Sequence, residues 1–328
     1  MNNELLIEVK NLKKYFPVKN KFLVKEKKAV KAVDGVTFNI RKGETFGLVG
    51  ESGCGKSTLG RTITGLYDIT EGEILFNGVN ISTLSKKEKK SFYSKIQTIF
   101  QDPYSSLNPN MTVGELIDEP LSLHTSLNKE ERYSKIKELL NVVGLSENDI
   151  NKFPYEFSGG QRQRIGIARA VSTEPDFILC DEPISALDVS IQAQVINMLE
   201  DLQEKLGLTY LFVAHDLSMV KHISNRIGVM YLGKIVEISE SDNLYKNPLH
   251  PYTKDLLSAI PIADPEKAKE NKLNIINGDI PNPINIPSGC RFHTRCKYAT
   301  EECKTKVPEV IEIEKDHLVA CHLYKWRY

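Results

Sequence analysis

Residues 44–66 read ETFGLVGESGCGKSTLGRTITGL, and their order of strand, loop and helix decides the fold. The apolar run Phe46–Val49 predicts a buried strand, and the spacing from Leu59 to Leu66 predicts a helix. Between them, Gly50, Gly55, Lys56 and Ser57 satisfy the pattern G-x-x-x-x-G-K-[ST]. The pattern has a mechanical reason: glycines let backbone N–H groups wrap phosphate oxygens, and the following helix N-terminus adds partial positive charge. Gly50, Glu51, Ser52, Gly53, Cys54, Gly55, Lys56, Ser57 and Thr58 are therefore read as a nucleotide phosphate cradle. Lys56 can reach the β- and γ-phosphates, Ser57 can ligate Mg²⁺, and Thr58 contacts a phosphate. Cys54 contributes its backbone rather than its thiol.

Working outward, PDFILCDEP at 175–183 predicts a second buried strand, Phe177 to Cys180, ending in Asp181 and Glu182. A carboxylate at the carboxyl end of a parallel strand suits Mg²⁺, which assigns Asp181 to the metal. Glu182 can take a proton from an attacking water. These two motifs alone describe any P-loop nucleotide enzyme.

Composition narrows the classes. Length, 328 residues, allows one large domain with an appendage or two modest ones. Lys+Arg and Asp+Glu both number 43, and this balance argues against nucleic acid as a partner. No apolar run approaches the roughly 20 residues of a membrane-spanning helix. The opening MNNELLIEVKNLKKYF lacks signal-peptide features, so a cytosolic setting with reduced thiols is expected. The lysine-rich stretch at 19–33, KNKFLVKEKKAVKAV, reads as a solvated loop between strands, with contact to anionic lipid as the other reading.

What lies between the two motifs separates the P-loop classes. Residues 153–190, FPYEFSGGQRQRIGIARAVSTEPDFILCDEPISALDVS, resemble the signature region of ABC ATPases. Ser158, Gly159, Gly160 and Gln161 match the core of the family's LSGGQ sequence, with Phe157 in the leucine position. The resemblance implies that two ATPase subunits pack head to tail, with Ser158 and Gly160 reaching the partner's γ-phosphate. Other family elements appear in order. Gln101 looks like the Q-loop glutamine that senses Mg²⁺ and water, and Asp188 closes a D-loop-like Ser-Ala-Leu-Asp at the expected subunit interface. His215 is similar to the switch histidine, and Phe16, in preference to Tyr15, resembles the aromatic that stacks on adenine. The resemblance thus implies an ATPase using ATP and Mg²⁺, with Glu182, His215, Gln101 and Lys56 as its catalytic set.

Two further stretches resemble the oligopeptide/dipeptide branch of ABC importers: FQDPYSSLNPNMTVGELI at 100–117 and NPLHPYTKDLLSAIP at 247–261. The long N-terminal insertion and KAVDGVTF at 31–38 look more like the "F" ATPase subunit than the "D". The branch implies two integral-membrane permease subunits, a second homologous ATPase forming a heterodimer, and an external solute-binding protein. It places the chain at the cytoplasmic face of the membrane. Nickel or another small solute is the alternative cargo, and a soluble ABC ATPase outside transport is a more distant one. The expected fold is an α/β P-loop core with an N-terminal antiparallel β portion and an inserted helical subdomain, about 102–171. The ATPase domain is expected over 1–240, with a loop-rich extension over 241–328.

That extension carries Cys290-x5-Cys296-x6-Cys303-x17-Cys321 after a proline-rich linker. So few apolar residues need a staple. Zinc sites favour tight C-x₂₋₄-C pairs, whereas a four-thiolate iron–sulfur cluster tolerates wider spacing. A [4Fe–4S] cluster is the expectation, which the branch resemblance also implies; Zn²⁺, free thiols and disulfides are the alternatives. His293, His317 and His322 are read as surface residues, while Arg291 and Arg295 either bond cluster sulfurs or are solvated.

Overall fold

The computed structural model describes residues 4–18, 28–260 and 281–324. Much of the lysine-rich stretch and the start of the proline-rich linker lie outside the described residues. The chain runs β1 (Leu5–Pro17), β2 (Ala29–Arg41), β3 (Thr45–Val49), α1 (Lys56–Ile63), β4 (Glu71–Phe76), β5 (Val79–Asn80), α2 (Lys86–Lys95) and β6 (Ile96–Ile99). Next come α3 (Val113–His124), α4 (Lys129–Val142), α5 (Gly159–Val171), β7 (Phe177–Asp181), α6 (Val189–Leu206) and β8 (Thr209–Val213). Then follow α7 (Leu217–Ile223), β9 (Arg226–Tyr231), β10 (Lys234–Glu240), α8 (Ser241–Lys246) and α9 (Pro251–Ser258). The tail adds α10 (Glu301–Thr305), β11 (Ile311–Glu314) and β12 (His317–Val319). This is the expected α/β class, and no helix among the described residues is long and apolar enough to cross a membrane.

Contacts group the chain into two units. The first comprises Met1–Leu6, Ile40–Thr45 and Phe76–Val213. Its strands β6, β7 and β8 run parallel, with Ile96 opposite Phe177 and Phe177 opposite Thr209. Every residue of β7 and β8 is buried, as strands covered on both faces require. Helices α3, α4 and α5 fall within 102–171 and start at Thr112, Asn128 and Ser158, each closing a capping box with a Glu or Gln three residues on. Arg132 of α4 ties to Asp118 of α3 at 2.6 Å.

The second unit comprises Ile7–Asn39, Phe46–Leu75 and Ala214–Tyr328. Strand β3 pairs parallel with β9, and β9 turns back antiparallel into β10 through Leu232 and Gly233. Both turn residues have positive φ, the twist that a two-residue hairpin favours. The tail does not hang free of this sheet. β12 pairs antiparallel with β10, Ile238 opposite Leu318, and β11 pairs with β12. Phe46 anchors the core beneath the site, 5.0 Å from Phe38 and 5.3 Å from the Arg226 guanidinium.

Two of the three tail histidines depart from the surface reading. His317 is completely buried, its Nε2 2.8 Å from Glu237 Oε1, while Asn243 donates to its Nδ1 at 3.1 Å. The same carboxylate accepts the backbone N–H groups of Leu249 and His250. His322 is also buried and lies 2.9 Å from the Lys306 carbonyl. Period-2 burial explains His317: it sits on the inward face of a short strand, which the loop-rich reading of the tail did not anticipate.

Candidate functional site

In the second unit, the loop after β3 departs from ordinary backbone at Gly50, Gly53 and Gly55, whose φ values are 150°, 76° and 109°. A Cβ on Gly50 would stand 2.1 Å from the Met230 carbonyl oxygen, and one on Gly55 2.1 Å from that of Ala32. At Gly53 a Cβ would meet nothing within 4 Å, so this part of the loop faces open space. Helix α1 starts directly at Lys56, whose ammonium folds back onto the carbonyls of Gly50 at 2.8 Å and Glu51 at 3.2 Å. Two crowded glycines, one open one and a lysine over the turn form a cradle suited to phosphate oxygens. Cys54 is buried in it, and burial pushes its thiol above the ordinary range, consistent with a backbone role.

Phe16 is half-buried, edge-on to Tyr67 at 5.5 Å, with the Lys14 ammonium 5.0 Å from its ring centroid. Tyr15 instead commits its hydroxyl to Asp34. His215 lies two residues past the end of β8, exposed, just before the Asp216 cap of α7.

In the first unit, Asp181 ends β7 with no exposed surface, and Glu182 follows in a left-handed conformation, φ 50°. The Glu182 N–H is held by the Val213 carbonyl, and the carboxylate accepts a hydrogen bond from Gln101 Nε2 at 2.8 Å. Glu182, next to Asp181 in the chain, is thus brought together with Gln101. Ser158 caps α5 through Gln161, and Gly159 and Gln161 are exposed. A Cβ on Gly160 would meet Ile191 at 2.7 Å, so this glycine allows α5 and the start of α6 to approach. Asp188 caps α6, accepting from Ile191 N and Ser190 Oγ; these bonds hold its carboxyl below the usual range.

In the tail, successive turns carry the cysteines. Cys290 N donates to the Cys303 carbonyl at 2.8 Å, and the thiols of Cys290, Cys296 and Cys303 all act electrostatically on Cys321. Burial, then the neighbouring thiols, push Cys290 up to about 11 and Cys321 up to about 12. Thiols are soft donors, but these four are not drawn together here as a ligand set. No group of three or more His, Cys, Asp or Glu among the described residues is arranged to hold a metal ion.

Residues 33–185 match the ABC transporter family, and residues 236–303 match the C-terminal region of oligopeptide/dipeptide transporters. A putative oligopeptide transport ATP-binding protein of Bacillus subtilis, YkfD, is 58% identical over 98% of this chain and 96% of its own. The AppF protein of Bacillus subtilis is 53% identical over 98% of both chains, and OppF of Salmonella typhimurium 50% over 97% and 96%. This chain belongs to the oligopeptide-transport family of ABC ATP-binding subunits. Among solved structures, a dimeric ATP-binding cassette in a post-hydrolysis state with ADP and Pi is 30% identical. It covers 72% of this chain and 99% of its own, with a TM-score of 0.63.

Two residues stand at the phosphate loop in places the sequence reading does not give them: it has Arg295 bonding cluster sulfurs or solvated, and Tyr252 only as part of His-Pro-Tyr. Arg295 forks onto the Glu51 carboxylate, Nη1 to Oε2 at 2.7 Å and Nη2 to Oε1 at 2.9 Å. Tyr252 accepts the Glu51 N–H at 2.8 Å. The signal available was the position of each residue, Tyr252 inside His-Pro-Tyr and Arg295 directly before Cys296, but neither spacing names a partner.

Proposed function

We propose that this chain is the ATP-binding and ATP-hydrolysing subunit that drives a membrane importer of di- or oligopeptides. The observation that carries the reading is an ABC-type phosphate loop and signature joined, in one chain, to the C-terminal region of oligopeptide/dipeptide transporters. Residues 1–240 form the ATPase portion, with the helical subdomain at about 102–171, and 241–328 the importer-specific extension.

In the proposed reaction a water oxygen bonds to the γ-phosphorus in line as the bond to the β–γ bridging oxygen breaks, releasing ADP and phosphate. Glu182 takes the water's proton, and the bond from Gln101 orients that carboxylate. Lys56 and the loop amides stabilise charge on the phosphates, and His215 contacts the γ-phosphate. Phe16 stacks on adenine. Ser158, Gly159, Gly160 and Gln161 serve the nucleotide held by a second, homologous subunit, with Asp188 at that interface. The buried carboxylate of Asp181 fits a divalent cation, and Mg²⁺ held by Ser57, Gln101 and Asp181 would neutralise phosphate charge. Two permease subunits would fix the chain at the cytoplasmic face of the membrane, fed from outside by a solute-binding protein.

Replacing the base tests this assignment. Glu182→Gln should lower turnover at least about 100-fold while ATP-dependent dimerisation persists; turnover near the unsubstituted rate would remove Glu182 from its role. For the tail, Cys290, Cys296, Cys303 and Cys321 are assigned as ligands of a [4Fe–4S] cluster, a reading that rests on their number and wide spacing in the sequence. Such a cluster would cross-link the cysteine-bearing turns. Anaerobically purified protein should contain iron and acid-labile sulfide; colourless protein with stoichiometric zinc would sink the assignment.

A further inference from the structure

We propose that Arg295 is a positioning residue for the phosphate loop, cancelling the charge of Glu51 so that the cysteine-bearing tail sets the affinity for a nucleoside triphosphate. The proposal rests on the ATP site assigned above.

The starting point is an electrostatic conflict. Glu51 places a carboxylate one residue into a loop whose task is to hold the most negative part of its ligand. Left alone, that charge would repel the incoming phosphates, and the more strongly where the surroundings exclude water. Arg295 answers it with a planar fork on both carboxylate oxygens, the geometry in which a guanidinium binds most strongly. The Arg295 side chain is only 5% exposed and that of Glu51 20%, so solvent screens the pair weakly.

The arginine is itself held in place. Its guanidinium carbon lies 5.8 Å from the Tyr231 ring centroid and 5.9 Å from that of Phe292, rings that pack at 5.2 Å on each other. Tyr252 joins the same cluster, 4.7 Å from Tyr231, and its hydroxyl takes the Glu51 N–H. A third grip comes from Gly233 N on the Cys54 carbonyl at 2.8 Å. The Glu51 carboxylate is thereby neutralised and its N–H is committed to Tyr252, so the later amides of the loop are left for the ligand.

A second arginine repeats the arrangement at the other flank of the tail. Arg291, directly after Cys290, bonds the Asp34 carboxylate and the Leu232 carbonyl. Burial works against ionisation of Asp34, but the Tyr15 hydroxyl and Arg291 outweigh it and hold the carboxyl below its usual range.

The test is a titration of full-length protein with ATP, read as dissociation constant and as kcat against KM. Arg295→Met should weaken ATP binding by about 10- to 100-fold, with KM rising and kcat changing less than about threefold. Adding Glu51→Gln to Arg295→Met should recover most of that loss, because the uncompensated carboxylate is gone. A merely structural arginine would give no such recovery. Glu51→Gln alone leaves the guanidinium uncompensated and should tighten ATP binding; a weakening beyond about threefold overturns the proposal even if Arg295→Met fails to fold. Arg295→Met binding ATP as tightly as the unsubstituted chain, or a double variant no better than Arg295→Met, also overturns it. Lys56→Ala separates the two readings. If it still binds ATP normally, the phosphate-loop assignment fails; if it loses ATP while Arg295→Met does not, only the clamp fails.

Discussion

The signature turn and the phosphate loop are both glycine-rich turns that open a helix, yet they are supported in opposite ways. Ser158 is capped by Gln161, and Asp188 caps Ile191, each three residues along the chain. Glu51 is held by partners 201 and 244 positions away. Local capping is set by the adjoining sequence and reforms with its helix. Distant clamping exists only when the C-terminal extension has been laid onto the sheet. The signature is thus an autonomous turn, and the phosphate loop is a surface shaped by remote parts of the chain.

The sharpest way to break this contrast is at Gly55, where φ is 109° and an added Cβ would stand 2.1 Å from the Ala32 carbonyl oxygen. Gly55→Ala should destabilise the protein by about 3 kcal/mol or more, because backbone must move. Denaturant unfolding measures this, and a stability near that of the unsubstituted chain would mean that the loop is not tightly enclosed.

A smaller effect reports on the extension. Burial lowers the His250 imidazole to about 4, with Lys254 acting in the same sense and Glu237 against it. The unfolded chain therefore binds more protons than the folded one between pH 4 and the ordinary histidine value of about 6.5, and stability falls as pH drops through that window. Between pH 7 and pH 5 the loss attributable to His250 is about 2 kcal/mol. Because His250 Nδ1 accepts the Tyr252 N–H at 3.0 Å, His250→Asn keeps a capping acceptor and should remove that slope. An unchanged pH profile would show that His250 is not the source.

The smallest effect belongs to the local region. Asp188→Ala should cost about 1 kcal/mol, the loss of one helix cap. A loss several times larger would show that the turn before α6 depends on more than its own cap.

The same contrast explains what could be read beforehand. Strands β3 and β7 were legible because each carries an apolar run of four residues, Phe46–Val49 and Phe177–Cys180, bounded by glycine or polar residues. Ser158 and Gln161 were legible through their match to the core of the family's LSGGQ sequence, while the capping box they form is seen only in the structure. The grouping of Gln101 with Glu182 came only through family resemblance, since their separation of 81 positions carries no periodic signal. The partners of Arg295 and Tyr252 and the burial of His317 were not anticipated because they rest on contacts between distant parts of the chain, which no local pattern announces. A strand of three residues is too short to show alternation.

The 244-residue separation between Glu51 and Arg295 also has a meaning in time. At ribosomal rates of about 5–20 residues per second, roughly 12–50 s pass between synthesis of the loop and of its guanidinium. During that interval the nascent chain displays the phosphate-binding motif with the carboxylate of Glu51 uncompensated. If Arg295 sets the affinity as proposed, full nucleotide affinity is reached only once the tail has been made.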